Sequence, residues 1–229
     1  MSSVPYRIRR SDRARRARIV VDPGGVEVVV PRRMALRHVT PFVEEKRPWI
    51  ERTLRRFREA ELTAPPVELE HGGVVPYLGR ELLLRVQVER WRQRSHVALR
   101  GEVLRVAVAS PGPDAIRDAL ERWYRVRARE EVAWRLEEAC ARAGTSYRSL
   151  SIRAQQTRWA SCSSNGTMSF NWRLLLAPEE ILDYVVEHEV AHIEVLDHSQ
   201  RFWRLLASRC PEYREHERWL RRHGSALRL

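Results

Sequence analysis

Residues 187–198 read Glu-His-Glu-Val-Ala-His-Ile-Glu-Val-Leu-Asp-His, an H-E-x-x-H motif with a third histidine six residues further on. Four-residue spacing places His188 and His192 on one face of a helix, with Cβ atoms about 5–6 Å apart, so both imidazoles can bind the same ion. Two histidines from a helix and one from the following segment suit Zn²⁺ and leave the fourth tetrahedral position for water, as in a catalytic site. The pattern therefore predicts that His188, His192 and His198 hold one zinc ion per chain.

Glu189 is the residue for which the motif predicts a catalytic role. It lies about 100° around the helix from His188, so its carboxylate can reach a water on the ion without binding the ion itself. A metal-bound water has a pKa of about 7, and a neighbouring carboxylate can accept its proton as the water attacks a polarised carbonyl or phosphoryl group. The motif therefore predicts a hydrolase with Glu189 as general base.

The residues around the motif favour a metal site over a polar helix surface. Most of the helix circumference is apolar, and the helix is therefore expected to be buried. Buried histidine and glutamate side chains need partners, which a metal provides. The apolar positions are Ile181, Leu182, Tyr184, Val185, Val186, Val190, Ala191 and Ile193.

Length and composition set the class of protein. The 229 residues, 43% of them hydrophobic, suffice for one domain or two small ones with a packed core. The three cysteines, Cys140, Cys162 and Cys210, show no C-x-x-C spacing and indicate neither a disulfide framework nor a zinc–thiolate site. No secretory h-region and no apolar run of membrane-spanning length is present. We therefore expect a cytoplasmic protein that does not enter a membrane.

The net charge of +12 suggests a polyanionic partner such as nucleic acid. A second explanation is the codon usage of a GC-rich genome, because Lys46 is the sole lysine and nearly all the positive charge is arginine. The arginines are spread along the chain, apart from a cluster between residues 7 and 18. Nucleic acid is thus a candidate partner only, and the oligomeric state is not predicted.

Hydrophobic alternation and turn residues predict an α+β protein with a β-rich N-terminal region over 1–110, interrupted by one helix. That helix is expected from Thr40 to about Ala60, with a kink or split at Pro48. A turn is expected at 22–25 and a linker at 61–73. The predicted strands are 5–10, 18–22, 26–30, 74–78, 81–89, 94–99 and 103–109.

Residues 111–229 are predicted to form the catalytic domain. A long helix is expected from Asp114 to about Ala143, followed by a strand at 150–153 and a hairpin over 158–172 with Asn-Gly at its tip. The motif helix should begin at 178–180, and two more helices should follow, one capped by Ser199 and one from about Pro211. The expected buried side of the long helix comprises Leu120, Trp123, Val126, Ala128, Val132, Trp134 and Leu136.

Four stretches, 158–164, 169–173, 182–189 and 198–203, together resemble the YgjP-like metallopeptidase family, which is similar to the SprT-like and WLM zinc proteases. They read Arg-Trp-Ala-Ser-Cys-Ser-Ser, Ser-Phe-Asn-Trp-Arg, Leu-Asp-Tyr-Val-Val-Glu-His-Glu and His-Ser-Gln-Arg-Phe-Trp. The resemblance implies a zincin-like metallopeptidase domain with the three histidines on zinc and Glu189 as the catalytic acid/base. It also implies a peptide or protein substrate.

Two positions depart from related patterns. Ala160 stands where the family commonly has glycine, and Val195 stands where metzincins have a glycine between the second and third ligands. Without that glycine the chain must reverse in another way, such as a longer helix end through Leu196 and Asp197. If His198 does not bind the metal, the substitute candidates are Glu194, Asp197 and Glu215.

The hairpin before the motif helix suggests how substrate is held. Zincins commonly bind an extended peptide along an edge strand beside the motif helix. Arg158, Ser161, Ser163 and Asn171 are therefore candidate substrate-binding residues. The alternative is that Ser161, Ser163 and Asn171 only stabilise the turn and keep the edge of the sheet soluble.

Three functions follow from these observations. The first is a zinc-dependent metallopeptidase. The second is a metal-dependent hydrolase of nucleotides or other phosphoanhydrides, because Arg158 and Arg173 suit phosphate. The third is a nucleic-acid-associated protease, similar to the WLM and SprT-like proteins, although no separate DNA-binding motif is visible.

Overall fold

The computed structural model describes residues 4–12, 14–22, 25–63, 67–155 and 158–229. The fold is mixed α+β, as predicted, and the chain divides into two compact units, Met1–Pro65 and Pro66–Leu229. The strands after residue 73 share a hydrophobic core with the later helices, so they belong to the second unit. The predicted catalytic domain 111–229 is a division by function, and it stays a prediction.

The first unit is a three-stranded sheet with one helix. Strands β1 (Arg7–Ser11), β2 (Arg18–Asp22) and β3 (Gly25–Pro31) lie in the order β1-β3-β2, with β1 parallel and β2 antiparallel to β3. Alternate valines of β3, such as Val28 and Val30, pack in one core with Val43 and Ile50 of helix α1 (Val39–Thr63). The helix continues through Pro48 without the predicted split. Of the predicted turn at 22–25, residues 23 and 24 lie outside the described residues, as do 64–66 of the predicted linker.

The second unit begins with a four-stranded sheet packed on a long helix. Strands β4 (Val74–Tyr77), β5 (Arg80–Val88), β6 (His96–Arg100) and β7 (Val103–Val108) lie in the order β4-β5-β7-β6, with the central pair parallel. Their buried residues, including Leu84 and Val106, share a core with helix α2 (Pro113–Ala143). Gly144 ends α2 in the left-handed conformation at φ 62°.

The buried side of α2 follows a four-residue repeat, Leu120, Tyr124, Ala128, Val132 and Leu136. Val126 and Trp134, which were predicted to be buried, are 58% and 52% exposed. Both lie off the stripe that a four-residue repeat generates on a helix. The prediction was therefore wrong at these two positions, because it assigned the apolar residues of α2 to one face without regard to their angular spacing.

A third sheet leads into the motif helix. Strands β8 (Ser149–Arg153), β9 (Ala160–Cys162) and β10 (Thr167–Asn171) lie in the order β8-β10-β9, so β9 is an edge. β9 and β10 form the predicted hairpin. A 3₁₀ turn, Trp172–Leu176, connects β10 to helix α3 (Glu179–Glu194), which carries the motif and is followed by α4 (Gln200–Arg209) and α5 (Tyr213–His223). None of the helices in the described part of the chain combines the length and apolar character needed to cross a membrane.

Arg135 of α2 ties the start of the motif helix in place. Its side chain is 5% exposed and donates hydrogen bonds to Asp183 and Glu131, both at 2.6 Å, and to Glu179. Two of these carboxylates belong to the first turns of α3, where negative charge also favours the helix dipole. The guanidinium therefore links α2 to the element that carries the metal-site candidates.

Candidate metal centre

The three histidines of the motif region converge on one point. Their candidate ligand atoms all lie within 4.8 Å of one another. The Nε2 atom of His198 lies 3.1 Å from Nε2 of His188 and 3.2 Å from Nε2 of His192. No other set of three metal-binding side chains with this spacing occurs among the described residues.

This spacing fits a tetrahedral metal ion. Two nitrogen ligands about 2.0–2.1 Å from an ion, at a tetrahedral angle, lie about 3.3 Å apart. Nδ1 of His192 donates to the Val195 carbonyl oxygen at 3.0 Å, so the Nε2 of the neutral ring carries a lone pair. If Nε2 of His198 carries a hydrogen, it can donate to Nε2 of His188 or to Nε2 of His192, but not to both. At the remaining contact, two nitrogen lone pairs then face each other. A cation between the rings removes this repulsion.

The chain reverses after α3 without a glycine. The helix ends at Glu194, and Val195 adopts the extended conformation at φ −135° and ψ 103°. A β-branched residue favours this region, so no left-handed residue is needed. The suggested longer helix end through Leu196 and Asp197 is thus wrong. The Val195 carbonyl instead accepts from His192, which joins the reversal to the second ligand candidate.

The carboxylates that were substitutes for His198 are engaged elsewhere. Glu194 pairs with Arg209, and Asp197 accepts from the backbone N–H of Ser199 at 3.2 Å. Glu215 of α5 pairs with Arg218 at 3.7 Å. These contacts leave the three histidines as the ligand set that the structure brings together.

A phenylalanine ring lies against all three imidazoles. The centroid of the buried Phe202 ring is 4.9 Å from His188, 4.4 Å from His192 and 4.9 Å from His198. Trp203 stacks on His198 at 5.5 Å. Because neighbouring residues of α4 contact the rings directly, the ligand positions depend on how this helix packs against α3.

Glu189 is buried beside the triad, at 5% exposure. Its carboxylate accepts a hydrogen bond from the backbone N–H of Cys162 in β9, and its Oε2 has no hydrogen-bond partner among the described residues. Burial raises the pKa of Glu189 to about 7, against the lowering effects of the Cys162 hydrogen bond and the nearby Arg158 charge. A carboxyl group with a pKa near neutrality can both accept and return a proton.

Burial keeps the two helix histidines neutral. It lowers the pKa of His188 to about 3, with further lowering by the neighbouring His192 and His198. Burial is also the main cause that lowers the pKa of His192. Neutral imidazoles are the form that binds a metal ion, so the site does not need to lose protons before binding.

The predicted substrate-binding residues fall into two groups. Arg158 is exposed and its charge acts on Glu189, and Ser161 is half-buried on the edge strand. In contrast, Ser163 bonds with backbone groups of Thr167, and the buried Asn171 bonds with backbone groups of Gln155, Arg158 and Arg173. The second pair therefore shapes the hairpin and the segment before it.

Arg173, the second arginine proposed for phosphate, is turned toward Trp172, with its guanidinium carbon 4.7 Å from the ring centroid. The charges that act on it are those of Glu121 and Arg125 in α2. Burial lowers its pKa. The structure thus brings Arg158, and not Arg173, into electrostatic contact with Glu189.

Sequence reasoning missed the backbone contacts of the site and one ring. The contact of the Cys162 N–H with Glu189 and that of the Val195 carbonyl with His192 cannot be predicted from residue type, because almost any residue supplies the same backbone groups. Tyr184 lies one turn before His188 and contacts its ring at 5.9 Å. Its four-residue spacing from His188 is the one signal that was available.

Comparisons with known proteins show what this chain is similar to. The family model described as "YgjP-like, metallopeptidase domain" matches residues 15–223. A solved structure, that of the metallopeptidase zymogen of Pyrococcus abyssi abylysin, is 28% identical over 41% of this chain and 95% of that chain, with a TM-score of 0.37. No curated protein matches the sequence.

Proposed function

Because the chain belongs to the YgjP-like metallopeptidase family, a metal-dependent protease family, we propose that it is a zinc peptidase with a zincin-like catalytic domain over 111–229. His188, His192 and His198 bind one zinc ion per chain in this proposal, and Glu189 is the general base. The observation that carries it is the convergence of three Nε2 atoms, with contacts of 3.1 and 3.2 Å, beside a buried carboxylate. Three nitrogen donors with an open fourth position are typical of catalytic zinc.

When bound, the zinc ion polarises the scissile carbonyl and makes a coordinated water acidic. Glu189 accepts the proton of the attacking water through Oε2, the oxygen without a hydrogen-bond partner among the described residues. Its other contact, the Cys162 N–H, helps to hold the carboxylate in place. Glu189 then returns the proton to the leaving amine.

The edge strand supplies a place for an extended peptide. The N–H of Ser163 and the carbonyl of Trp159 point toward β10, where they bond with Thr167 and Asn171. Since backbone groups alternate along a strand, Ala160 and Cys162 direct theirs to the outer edge. A substrate strand added at Ala160 passes directly in front of Glu189, which lies at the Cys162 N–H.

Arg158 and Ser161 are the proposed side-chain contacts of the substrate. Arg158 is exposed near Glu189, and Ser161 lies on the edge strand. Direct contact of Ser163 and Asn171 with substrate stays a prediction, since their observed bonds support a positioning role. Asn171 holds the carbonyl of Arg158 at 3.4 Å and so acts on the segment that carries this arginine.

A side-by-side assay tests the proposal. Casein and nucleoside triphosphates are incubated with the protein as purified, after chelation and after zinc is restored. Zinc-dependent casein cleavage that is lost in Glu189→Gln supports a peptidase. Zinc-dependent phosphate release without cleavage would assign the site to phosphoanhydrides, with Arg158 as the phosphate contact. The cytoplasmic location stays a prediction.

A further inference from the structure

The positive charge of the chain is concentrated in its first compact unit. Residues 1–65 contain 16 lysine and arginine residues and eight acidic residues, a net charge of +8. Residues 66–229 contain 26 lysine and arginine residues and 22 acidic residues, a net charge of +4. A codon-usage bias acts on the whole chain and does not explain twice the net charge on fewer than half the residues.

One face of the first sheet carries three of these arginines. Val28 and Val30 of β3 point into the core with α1, so Glu27 and Val29 point to the opposite, outer face. In register with them lie Arg7 and Arg9 of β1 and Arg18 of β2. All three arginines are exposed, and we call them the basic face.

The arginines of the basic face lie beside a buried valine and an acidic residue. Val29 is 0% exposed and lies in register between Arg9 of β1 and Arg18 of β2. Glu27 lies on this face and pairs with Arg9 at 3.0 Å. The ion pairs found among the described residues of this sheet involve neither Arg7 nor Arg18, so their guanidinium groups are available to a ligand.

Further arginines extend the basic face at one end of the sheet. The connection after β1 carries the exposed Arg15 and Arg16, and the segment after β3 carries Arg32 and Arg33. Because β1 and β3 are parallel and β2 is antiparallel, all four lie at the same end. The acidic residues of α1 belong to the helix that covers the other face.

We propose that the basic face binds the phosphate backbone of duplex nucleic acid. Arg7 and Arg9 lie about 6.6 Å apart along β1, and β1 and β2 lie about 9.6 Å apart across β3, so the three charges present a small two-dimensional array. Guanidinium groups bind phosphate in bidentate fashion, and neutralising several phosphates releases counterions.

The residue types on the face favour a duplex over other polyanions. Single-strand binding uses aromatic rings on which bases stack, and no aromatic residue alternates to this face in the described strands. Membrane binding uses exposed apolar residues, whereas Val29 is covered and Ile8 alternates to the other face. Backbone recognition of a duplex requires only the charges that are present.

Binding at the basic face would tether the proposed peptidase to proteins on nucleic acid. The inference does not depend on peptidase activity, because it concerns residues of a different compact unit. Its failure and the failure of the proposed function are therefore separate results.

The test is the salt dependence of binding by the full chain. Fluorescence anisotropy is measured with a labelled DNA duplex of about two helical turns, the RNA duplex of the same sequence, and the single strand, between about 50 and 200 mM salt. The variant is Arg7→Glu, Arg9→Glu, Arg18→Glu. The matched control is Arg90→Glu, Arg94→Glu, Arg100→Glu, with the same charge change at exposed arginines of the second unit.

We expect the basic-face variant to lose at least about tenfold in affinity for both duplexes and to flatten the slope of log K against log salt by about 3. The control should stay within about threefold of wild type at the higher salt. Circular dichroism checks folding, and Arg7→Gln, Arg18→Gln replaces the triple variant if it does not fold. Equal losses in the control, or salt-independent binding by wild type, would overturn the inference. Tighter binding to the single strand, or to phosphatidylserine vesicles in an arginine-dependent manner, would also overturn it.

Discussion

Phe202 lies face to face with His192, with ring centroids 4.4 Å apart and planes inclined by 25°. The same ring contacts His188 and His198, each at 4.9 Å. It is fully buried, so it excludes water from the side of the triad on which it lies. If the three histidines hold a metal ion as proposed, water would therefore have to reach it from another side, and Glu189 is a buried carboxylate next to His188 in the chain.

Replacing Phe202 with leucine should loosen the ligand set without unfolding the protein. We expect zinc affinity to fall about 10–100-fold, as for residues that orient ligands, and the free energy of unfolding to fall by about 1–2 kcal/mol. Zinc titration against a chelating indicator measures the first effect, and the absorption spectrum of the cobalt-substituted protein reports the coordination geometry. Leu206→Val is the control, since Leu206 is buried one turn later on the same helix. Equal zinc affinity and an unchanged spectrum in Phe202→Leu would contradict the positioning role.

Purified protein is expected to contain about one zinc ion per chain. His192→Ala should lose it, because the ring supplies a ligand nitrogen and also bonds with the Val195 carbonyl. Elemental analysis after gel filtration gives the stoichiometry. A metal-free protein that cannot be loaded, or full occupancy in His192→Ala, is incompatible with the proposed site.

His198→Ala tests the exposed member of the triad. Loss of one of three nitrogen ligands should weaken zinc by more than the 10–100-fold typical of a residue that only orients a ligand. Asp197→Asn is a suitable control, since Asp197 lies beside His198 and contacts the Ser199 backbone. Near-wild-type zinc affinity in His198→Ala would remove this residue from the ligand set.

Glu189→Gln should keep the metal and the fold and lose hydrolysis about 100-fold or more, as expected for a general base. The amide retains an oxygen that can accept from the Cys162 N–H, but it cannot take a proton from water. Zinc content and the rate of casein cleavage are measured on the same preparation. If the variant releases zinc, Glu189 is a ligand and the division of roles is wrong.

Arg135→Ala should lower the free energy of unfolding by about 2 kcal/mol, because it leaves Glu179, Asp183 and Glu131 without their shared partner. This cost is smaller than for a fully buried ion pair because the side chains of Glu179 and Asp183 are more than half exposed and water screens their charges. Urea denaturation measures the change. Arg125→Ala, which breaks the exposed helix pair with Glu121, should cost about 0.5 kcal/mol or less. Equal costs in the two variants would show that Arg135 acts as an ordinary surface arginine.

The elements and the histidine triad were accessible from sequence because both depend on local spacing. Alternating residues, Gly144 and Pro178 mark strands and helix ends within a few residues, and the i,i+4 rule brings His188 and His192 together. Tertiary contacts were not accessible. The Cys162 N–H reaches Glu189 only because the sheet edge packs on α3, and Arg135 joins carboxylates 44 and 48 residues away in the chain.

The three histidines differ in depth, and this has a kinetic consequence. His192 is buried and His188 is half-buried on a rigid helix, whereas His198 is exposed on the short segment between α3 and α4. Segments of this kind open locally at a much lower free energy than a buried helix. If zinc is bound as proposed, exchange of the ion should therefore begin with departure of His198, at a rate set by local opening and largely independent of global unfolding. A loaded protein can then exchange its ion while it remains folded.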